Sequence, residues 1–163
     1  MRGGLKLIDF GLAHSLQDNQ NTLTFPNSVP GSFHYTAPEN FRYFYKDGRK
    51  VPDFDEDDDD EGAETHIELT QKADIWAAGI ILYGMVYEGM HPYGTVGGGR
   101  MSKMNALKAD NEVKLPEMRF NNLDATGLVE TMKACLRKDP TERATAQELL
   151  KMHFLSSPSL MKM

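Results

Sequence analysis

The sequence predicts a mainly α fold in which one short strand precedes a bundle of helices. Residues 4–9 alternate apolar and polar side chains, a pattern typical of a half-buried strand. Later segments have the apolar spacing of helices, and they run over about 71–87, 101–109, 125–136 and 145–152. The first of these is apolar on nearly all sides, so we expect it to be a buried central helix.

Residue types at the ends of these segments predict where they begin and end. Thr70 is expected to cap the start of the central helix and Gly89 its end, because a Thr hydroxyl accepts amide bonds and Gly tolerates left-handed backbone. Residues 12–31 are rich in Asn, Pro, Ser and Thr without a period, which predicts a long loop. Residues 39–45 are predicted to form a short helix, because Pro38 suits a helix start.

The charge of the chain is concentrated in one place. The formal net charge is −6, but residues 53–64 carry nine acidic side chains and no Lys or Arg, which leaves 18 basic and 15 acidic side chains elsewhere. Such dense like charges repel, so we expect a disordered acidic insert over residues 52–66. It is either a solvated spacer or a docking patch for a basic partner. The absence of a concentrated basic stripe argues against nucleic-acid binding.

The sequence also indicates in which cellular compartment the protein is expected. Cys135 is the only cysteine, so no internal disulfide is possible, and its apolar helical context favours a small core residue over a reactive thiol. No apolar run approaches 18 residues and no signal peptide is recognisable, so we expect no membrane partner and a nuclear or cytoplasmic protein. Residues 156–163 are expected to be a flexible tail.

Four motifs occur in a fixed order along the chain. They are Asp9-Phe10-Gly11, residues 31–39 (GSFHYTAPE), residues 72–79 (KADIWAAG) and residues 137–145 (RKDPTERAT). The first alone would fit an ordinary strand-to-turn boundary. Together they resemble the second half of a protein kinase catalytic domain. The resemblance implies a protein kinase-like C-lobe over residues 1–155, a helical bundle with a short strand before the Asp-Phe-Gly motif.

The resemblance implies ATP and Mg²⁺ as cofactors. Asp9 would be the metal ligand, and Phe10 and Gly11 would complete the cofactor-binding motif. Mg²⁺ prefers oxygen ligands and usually takes one or two carboxylates together with substrate phosphates. Gly11 would let the backbone turn without a Cβ clash.

The resemblance also assigns structural roles to three charged residues. Glu39 and Arg143 would form a buried ion pair. This pair would fix the activation segment, which runs from the Asp-Phe-Gly motif to residue 39, to the last helices. Asp74 would accept hydrogen bonds from the catalytic-loop backbone. A carboxylate at this position would also suit the dipole of the helix that begins there, so simple capping remains an alternative for Asp74.

Several hydroxyl groups in the predicted loop are candidate phosphorylation sites, and they are Thr22, Thr24, Ser28 and Ser32. A phosphate would order the loop by pairing with arginines. Ser32 stands where the family usually has Thr, and either hydroxyl is typical of Ser/Thr or dual-specificity kinases.

Within the kinases, the chain resembles the monopolar-spindle (TTK-type) dual-specificity family. The resemblance is carried by residues 5–11, 69–76 and 81–87, and by residues 101–104 followed by 112–116. Departures are Ala37, where the family often has Pro, and the acidity of the insert. The resemblance implies an intact enzyme that phosphorylates protein substrates in spindle-checkpoint signalling, at kinetochores.

The sequence lacks the other parts of a kinase catalytic site. In the family, the Gly-rich phosphate loop, the strand lysine, its helix glutamate and the His-Arg-Asp catalytic loop precede the Asp-Phe-Gly motif. We therefore expect the N-lobe and catalytic loop to be absent from this chain, which would leave it without a catalytic residue and inactive when isolated. The alternative is a short non-catalytic binding product that uses the helices from residue 101 onward and the acidic insert.

Overall fold

A computed structural model of the chain describes residues 6–17, 20–26, 31–40, 43–46, 49–52, 66–94, 107, 113, 115 and 125–156. Its core is built around helix α1 (Lys72–Val86), which confirms the predicted central helix. Trp76, Ile80 and Tyr83 on this helix are buried. Their spacing of three and four residues places them on one helical face.

The two ends of α1 use the residues that the sequence indicated. The Thr70 hydroxyl accepts a hydrogen bond from the Lys72 amide at 3.2 Å. At the other end, Gly89 has a φ of +81° and donates its amide to the Gly84 carbonyl at 2.7 Å. A residue without a Cβ adopts this backbone conformation at no steric cost, so Gly89 is where the chain turns away from the helix.

Helix α2 (Ala125–Cys135) packs against α1 and supplies the other side of the core. It confirms the helix predicted at 125–136, and its buried residues include Leu128 and Met132. Two short helices follow, α3 (Ala146–Leu149) and α4 (His153–Ser156), in place of the single helix predicted at 145–152. None of the helices in the described part of the chain has both the length and the apolarity to cross a lipid bilayer.

Helix α3 begins with a capping box. The Thr145 hydroxyl accepts the Glu148 amide at 3.2 Å, and the Glu148 carboxylate accepts the Thr145 amide at 2.7 Å. The carboxylate accepts this amide bond and a second bond from the Thr145 hydroxyl at 2.8 Å, and both hold the pKa of Glu148 below its usual range. The amides at the start of a helix have no carbonyl partner within it. Because the two side chains of the capping box accept these amides, they fix where α3 begins.

One face of α1 is not buried, contrary to the prediction from its apolar composition. Ile81 is 53% exposed and Met85 is 75% exposed, and Asp74 and Ala78 lie on the same face. Helical spacing of 74, 78, 81 and 85 explains why these four residues are exposed together. The error arose because composition cannot show whether a second layer of chain covers the helix.

A two-stranded antiparallel sheet lies within the region predicted as a long loop. Strand β1 (Thr22–Pro26) pairs with β4 (His66–Thr70), which enters α1 almost directly. The register sets Leu23 opposite Leu69 and Phe25 opposite Ile67, so apolar residues face each other across the ladder. The loop prediction for 12–31 is therefore wrong over these five residues.

The short helix predicted at 39–45 is also wrong. Pro38–Asn40 forms one turn of 3-10 helix, as Phe33–Tyr35 does earlier in the segment. The chain then forms an antiparallel hairpin of β2 (Tyr43–Lys46) and β3 (Arg49–Pro52). Aromatic residues at positions 43–45 favour a strand when a pairing strand follows closely in sequence.

The strand predicted at 4–9 is not formed over its described part, because residues 6–10 have no strand hydrogen bonds. Leu7 is 83% exposed and Ile8 is 81% exposed. A strand needs a partner, and none of the described strands lies beside this segment.

Three other predictions fall mainly outside the described residues. In the helix predicted at 101–109 only Leu107 is described, and it is helical and buried. The acidic insert is described only at its first and last positions, 52 and 66, which end β3 and begin β4. Of the tail at 156–163, only Ser156 is described, as the last residue of α4.

Cys135 lies at the α1–α2 contact, and its interpretation as a core residue is confirmed. It is 3% exposed, and burial raises the pKa of its thiol to about 11 against the opposing effect of the Arg143 charge. Burial and the raised pKa both disfavour the thiolate, the nucleophilic form, and so argue against the reactive-thiol alternative.

Gly79 allows the close approach of α1 and α2, so a methyl group there should destabilise the fold. A Cβ at Gly79 would lie 2.6 Å from the Cys135 Cβ and 2.9 Å from the Leu136 Cδ2. We expect Gly79→Ala to lower the free energy of unfolding in urea by about 1–3 kcal/mol.

Gly84→Ala is the matched control on the same helix. Its Cβ would meet nothing closer than the Met90 carbonyl oxygen at 3.7 Å. The better helix propensity of Ala should therefore raise stability by up to about 1 kcal/mol. Equal stability of the two variants would contradict the packing account.

Candidate functional site

Arg143 is buried, with 1% of its surface exposed, and it joins segments that are far apart in sequence. Its Nη1 and Nη2 donate to the two carboxylate oxygens of Glu39 at 2.6 and 2.8 Å. The remaining bonds go to backbone carbonyls of Lys72, Arg137 and Lys138. Glu39 and Arg143 therefore form the buried ion pair that the kinase resemblance implied, and the pair is bidentate because the planar guanidinium matches the carboxylate.

A tight turn aims the Arg143 side chain. Asp139 Oδ1 accepts hydrogen bonds from the Thr141 amide at 2.8 Å and the Thr141 hydroxyl at 2.7 Å. These bonds hold the pKa of the exposed Asp139 carboxyl below its usual range. The Asp139 carbonyl then accepts the Arg143 amide at 3.1 Å. The Asp-Pro-Thr-Glu-Arg motif is therefore a turn that delivers an arginine to the core.

The guanidinium of Arg143 contacts the first turn of α1. The Lys72 carbonyl accepts from Arg143 Nη1 at 2.8 Å, and the Lys72 ammonium group donates to the Arg143 carbonyl. The guanidinium also lies over the Trp76 ring, 5.0 Å from its centroid. A cation over an indole face is attracted by the ring quadrupole, which adds to the hydrogen bonds.

The segment 31–40 is held against this cluster by its C-terminal end. Ala37 and Asn40 are buried, and Glu39 between them carries the contact to Arg143. Gly31 at the other end has a φ of +130°, which favours glycine. Ser32 is exposed and precedes the Phe33–Tyr35 turn, with its carbonyl accepting the Tyr35 amide at 3.0 Å.

The Asp-Phe-Gly motif stands apart from the Arg143 cluster. Asp9, Phe10 and Gly11 are all exposed. Asp9 has a φ of +62°, which Asp tolerates better than most residues, and its Oδ1 lies 3.5 Å from the Gly11 amide donor. The left-handed residue is therefore Asp9. A Cβ at Gly11 would make only an ordinary 3.4 Å contact, so the expected steric need for glycine is not found.

Asp74 lies in the first turn of α1 and is exposed. It lines an open cavity of about 370 Å³ between the segment after the Asp-Phe-Gly motif and the starts of α1 and α3. His14 and Leu16 line the same cavity. The Asp74 carboxylate lies at the positive end of the α1 dipole, which suits both roles expected for it, orientation of the catalytic loop and helix capping.

The phosphorylation candidates differ in accessibility. Thr24 on β1 is exposed and pairs across the ladder with Glu68, whereas Thr22 is half-buried and pairs with Thr70. Ser32 is exposed, and Ser28 lies outside the described residues. A phosphate on Thr24 would meet the Glu68 carboxylate across the ladder, where the sequence analysis expected arginines.

Comparison with known proteins identifies the family. The family model for the protein kinase domain matches residues 1–155. This chain belongs to the protein kinase family. The four motifs and the Glu39–Arg143 contact are thus parts of a protein kinase domain.

Several kinases of the TTK/MPS1 type are similar to this chain. Dual specificity protein kinase TTK of Mus musculus is 30% identical over 149 residues, which is 91% of this chain and 15% of that protein. Serine/threonine-protein kinase MPS1 of Saccharomyces cerevisiae is 27% identical over 95% of this chain and 19% of that protein. A probable serine/threonine-protein kinase mps1 of Dictyostelium discoideum is 30% identical over 95% of this chain and 14% of that protein. The chain therefore spans less than a fifth of these relatives, and the TTK-type resemblance is confirmed.

The residues present fit one part of a kinase magnesium site. Asp9 is an exposed carboxylate, and a single carboxylate completed by nucleotide phosphates is an ordinary ligand set for Mg²⁺. When bound, Mg²⁺ neutralises charge on the ATP phosphates. Within the described residues, no group of three or more His, Cys, Asp or Glu side chains is placed to hold a metal.

Sequence reasoning missed several groups that build this kinase site. Backbone carbonyls of Lys72, Arg137 and Lys138 carry no sequence signature, although they take three of the hydrogen bonds of Arg143. His91 was also missed, and its Nε2 lies 2.9 Å from the His34 carbonyl oxygen. The His-Pro-Tyr sequence was visible, but nothing in it indicated a contact 57 positions away.

Removal of Glu39 should strongly destabilise this kinase domain, because the Arg143 charge would remain buried without its partner. We expect Glu39→Ala to lower the free energy of unfolding by about 3–5 kcal/mol, measured by urea denaturation. Glu142→Ala, beside the same arginine but exposed, should change stability by less than about 0.5 kcal/mol. Similar losses in the two variants would show that the contact contributes nothing specific.

Proposed function

We propose that this chain is the C-terminal part of an ATP-dependent protein serine/threonine or dual-specificity kinase. The intact enzyme would transfer a phosphoryl group from Mg-ATP to hydroxyl groups of protein substrates. The observation that carries the proposal is the bidentate Glu39–Arg143 pair within a chain that belongs to the protein kinase family. That pair fixes residues 31–39, whose sequence GSFHYTAPE resembles the substrate-positioning loop of protein kinases.

Each candidate residue has a defined role in this proposal. Asp9 holds Mg²⁺, with Phe10 and Gly11 in the same motif. Glu39 and Arg143 hold the substrate-positioning segment 31–39 against the first turn of α1. This role is supported by the burial of Arg143, because a buried guanidinium with several hydrogen bonds tolerates little displacement.

Asp74 and the loop hydroxyl groups complete the assignment. Asp74 orients the backbone of the catalytic loop, which is supported by its exposure beside an open cavity at the start of α1. Thr24 and Ser32 are both exposed, and Ser32 is the favoured phosphorylation site of the two because a phosphate on Thr24 would be repelled by the Glu68 carboxylate. Phosphate on either residue would change the charge of the activation segment.

The rest of the active site would come from an N-lobe and catalytic loop that this sequence does not contain. A polypeptide of these 163 residues alone has no His-Arg-Asp motif and no Gly-rich phosphate loop. Phosphoryl transfer depends on positioning and charge stabilisation by those parts. We therefore propose that the isolated polypeptide is inactive and binds ATP weakly.

The cellular role is proposed from similarity to TTK and MPS1 kinases. The intact enzyme would act in spindle-checkpoint signalling, in the nucleus and cytoplasm and at kinetochores. The alternative of a non-catalytic binding product depends on the acidic insert and the segment from residue 101, which lie almost wholly outside the described residues. No described contact favours it.

Loss of the Asp9 carboxylate should abolish activity of the intact protein that contains this chain. We expect Asp9→Asn to lower kcat for phosphorylation of dephosphorylated casein by at least about 100-fold, because Mg-ATP would lose a charged ligand. Transfer of ³²P from Mg-ATP measures this. Glu68→Gln, which neutralises another exposed carboxylate, should leave kcat within about twofold. Equal activity of wild type and Asp9→Asn would refute the assignment of Asp9.

A further inference from the structure

His91 connects the turn after α1 to the segment 31–40. Its Nδ1 accepts the backbone amide of Tyr93 at 3.1 Å, and its Nε2 lies 2.9 Å from the carbonyl oxygen of His34. His34 belongs to the Phe33–Tyr35 turn, so one imidazole ring spans two segments.

The two partners define the state of the ring. A backbone amide only donates, so Nδ1 carries no proton, and a carbonyl oxygen only accepts, so Nε2 carries one. His91 is therefore a neutral imidazole with the proton on Nε2, and it makes two directed hydrogen bonds in opposite directions. This arrangement fixes the orientation of the ring as well as its position.

The turn that carries His91 is anchored in the core. Its i to i+3 bond joins the Gly94 amide to the His91 carbonyl at 3.1 Å. Tyr93 is buried and stacks on Trp76, with ring centroids 5.6 Å apart. Trp76 is the residue over which the Arg143 guanidinium lies. The imidazole is thus attached to the same core that holds the other end of the segment.

The segment 31–40 is consequently held at two points. Glu39 is fixed by Arg143, and the His34 carbonyl is fixed by His91. Tyr35, between these points, is 46% exposed and lines an open cavity of about 510 Å³ together with His91. Phe33, at the start of the same turn, also packs against the core, and the His91 bond fixes the carbonyl of the residue that follows it.

We propose that His91 is a positioning residue for protein-substrate recognition, because its Nε2 proton holds the His34 carbonyl and so sets the conformation of the segment 31–40. This inference rests on the proposed kinase function. His91 does not touch the phosphoryl group in this account. Its loss therefore affects the affinity for protein substrate and spares the use of ATP.

Two conservative variants separate the two hydrogen bonds. The amide of His91→Gln reaches the place of Nε2 and can donate to the His34 carbonyl. The amide of His91→Asn reaches only the place of Nδ1, so it preserves the bond from Tyr93 and loses the bond to His34. A role confined to the turn would make Asn the better substitute, whereas positioning of the segment makes Gln the better one.

The test measures kcat and KM in the intact protein that contains this chain, with dephosphorylated casein and Mg-ATP as substrates. We expect His91→Asn to raise KM for casein by about 3- to 10-fold, the range of one net hydrogen bond, with kcat and the KM for ATP within about twofold. His91→Gln should keep KM for casein within about twofold of wild type. His153→Gln, an exposed histidine on α4, is the control.

Hydrogen exchange provides a readout that does not need catalysis. The amides of Tyr35 and Thr36 donate within the turn to Ser32 and Phe33. We expect these amides to exchange at least about threefold faster in His91→Asn than in His91→Gln.

The outcomes distinguish this inference from the proposed function. An inactive wild-type protein would refute the kinase proposal, and the exchange rates would still decide whether His91 holds the segment. An active wild type with equal KM values for casein in both variants would overturn the inference. A larger loss in His91→Gln than in His91→Asn, or equal exchange rates in the two variants, would also overturn it.

Discussion

Burial of the Arg143 guanidinium determines how three segments of this protein are arranged. The desolvation of Arg143 is costly, and the cost is offset only when its donors are all paired. Glu39 supplies the opposite charge, carbonyls of three residues supply the other acceptors, and Trp76 supplies a ring face. These partners come from the segment 31–40, the start of α1 and the turn before α3. The three segments therefore have one mutual arrangement in which the charge is satisfied.

The core that packs around Arg143 also holds the exposed segment 31–40 in place. Close α1–α2 contact at Gly79 buries the core residues that support Trp76 and Tyr93. The segment 31–40 has few buried side chains of its own, so its shape is imposed by the core packing of Phe33 and by the hydrogen bonds at His34 and Glu39. A loop held in this way keeps a binding geometry without needing a core of its own. Exposure of Asp9, and of Ile81 and Met85 on one face of α1, leaves two further surfaces that the described residues do not cover.

The sequence predicted the helices whose apolar spacing repeats along the chain, and it failed for the strands, whether their pairing partners are distant or close in sequence. Helices α1 and α2 were predictable because apolar spacing is a local signal. The helix expected at 39–45 was wrong, although Asp47-Gly48 after an aromatic run is a strong hairpin signal that would have indicated β2 and β3. Strand β1 was missed because five residues among Asn and Pro look like a loop until β4 is placed beside them. Motif order indicated the contact of Glu39 with Arg143, but the carbonyl acceptors and the His91 bond depend on tertiary geometry alone.

A double-mutant cycle on Glu39 and Arg143 measures directly how strongly the two side chains stabilise each other. The free energy of unfolding would be measured for wild type, Glu39→Ala, Arg143→Ala and the double variant. If the bidentate pair fixes the three segments, the double variant should be about 2–3 kcal/mol more stable than the sum of the single losses predicts, because no buried charge is left unpaired. If the loss of stability in the double variant equals the sum of the two single losses to within about 0.5 kcal/mol, the two side chains act independently and the pair does not fix the three segments.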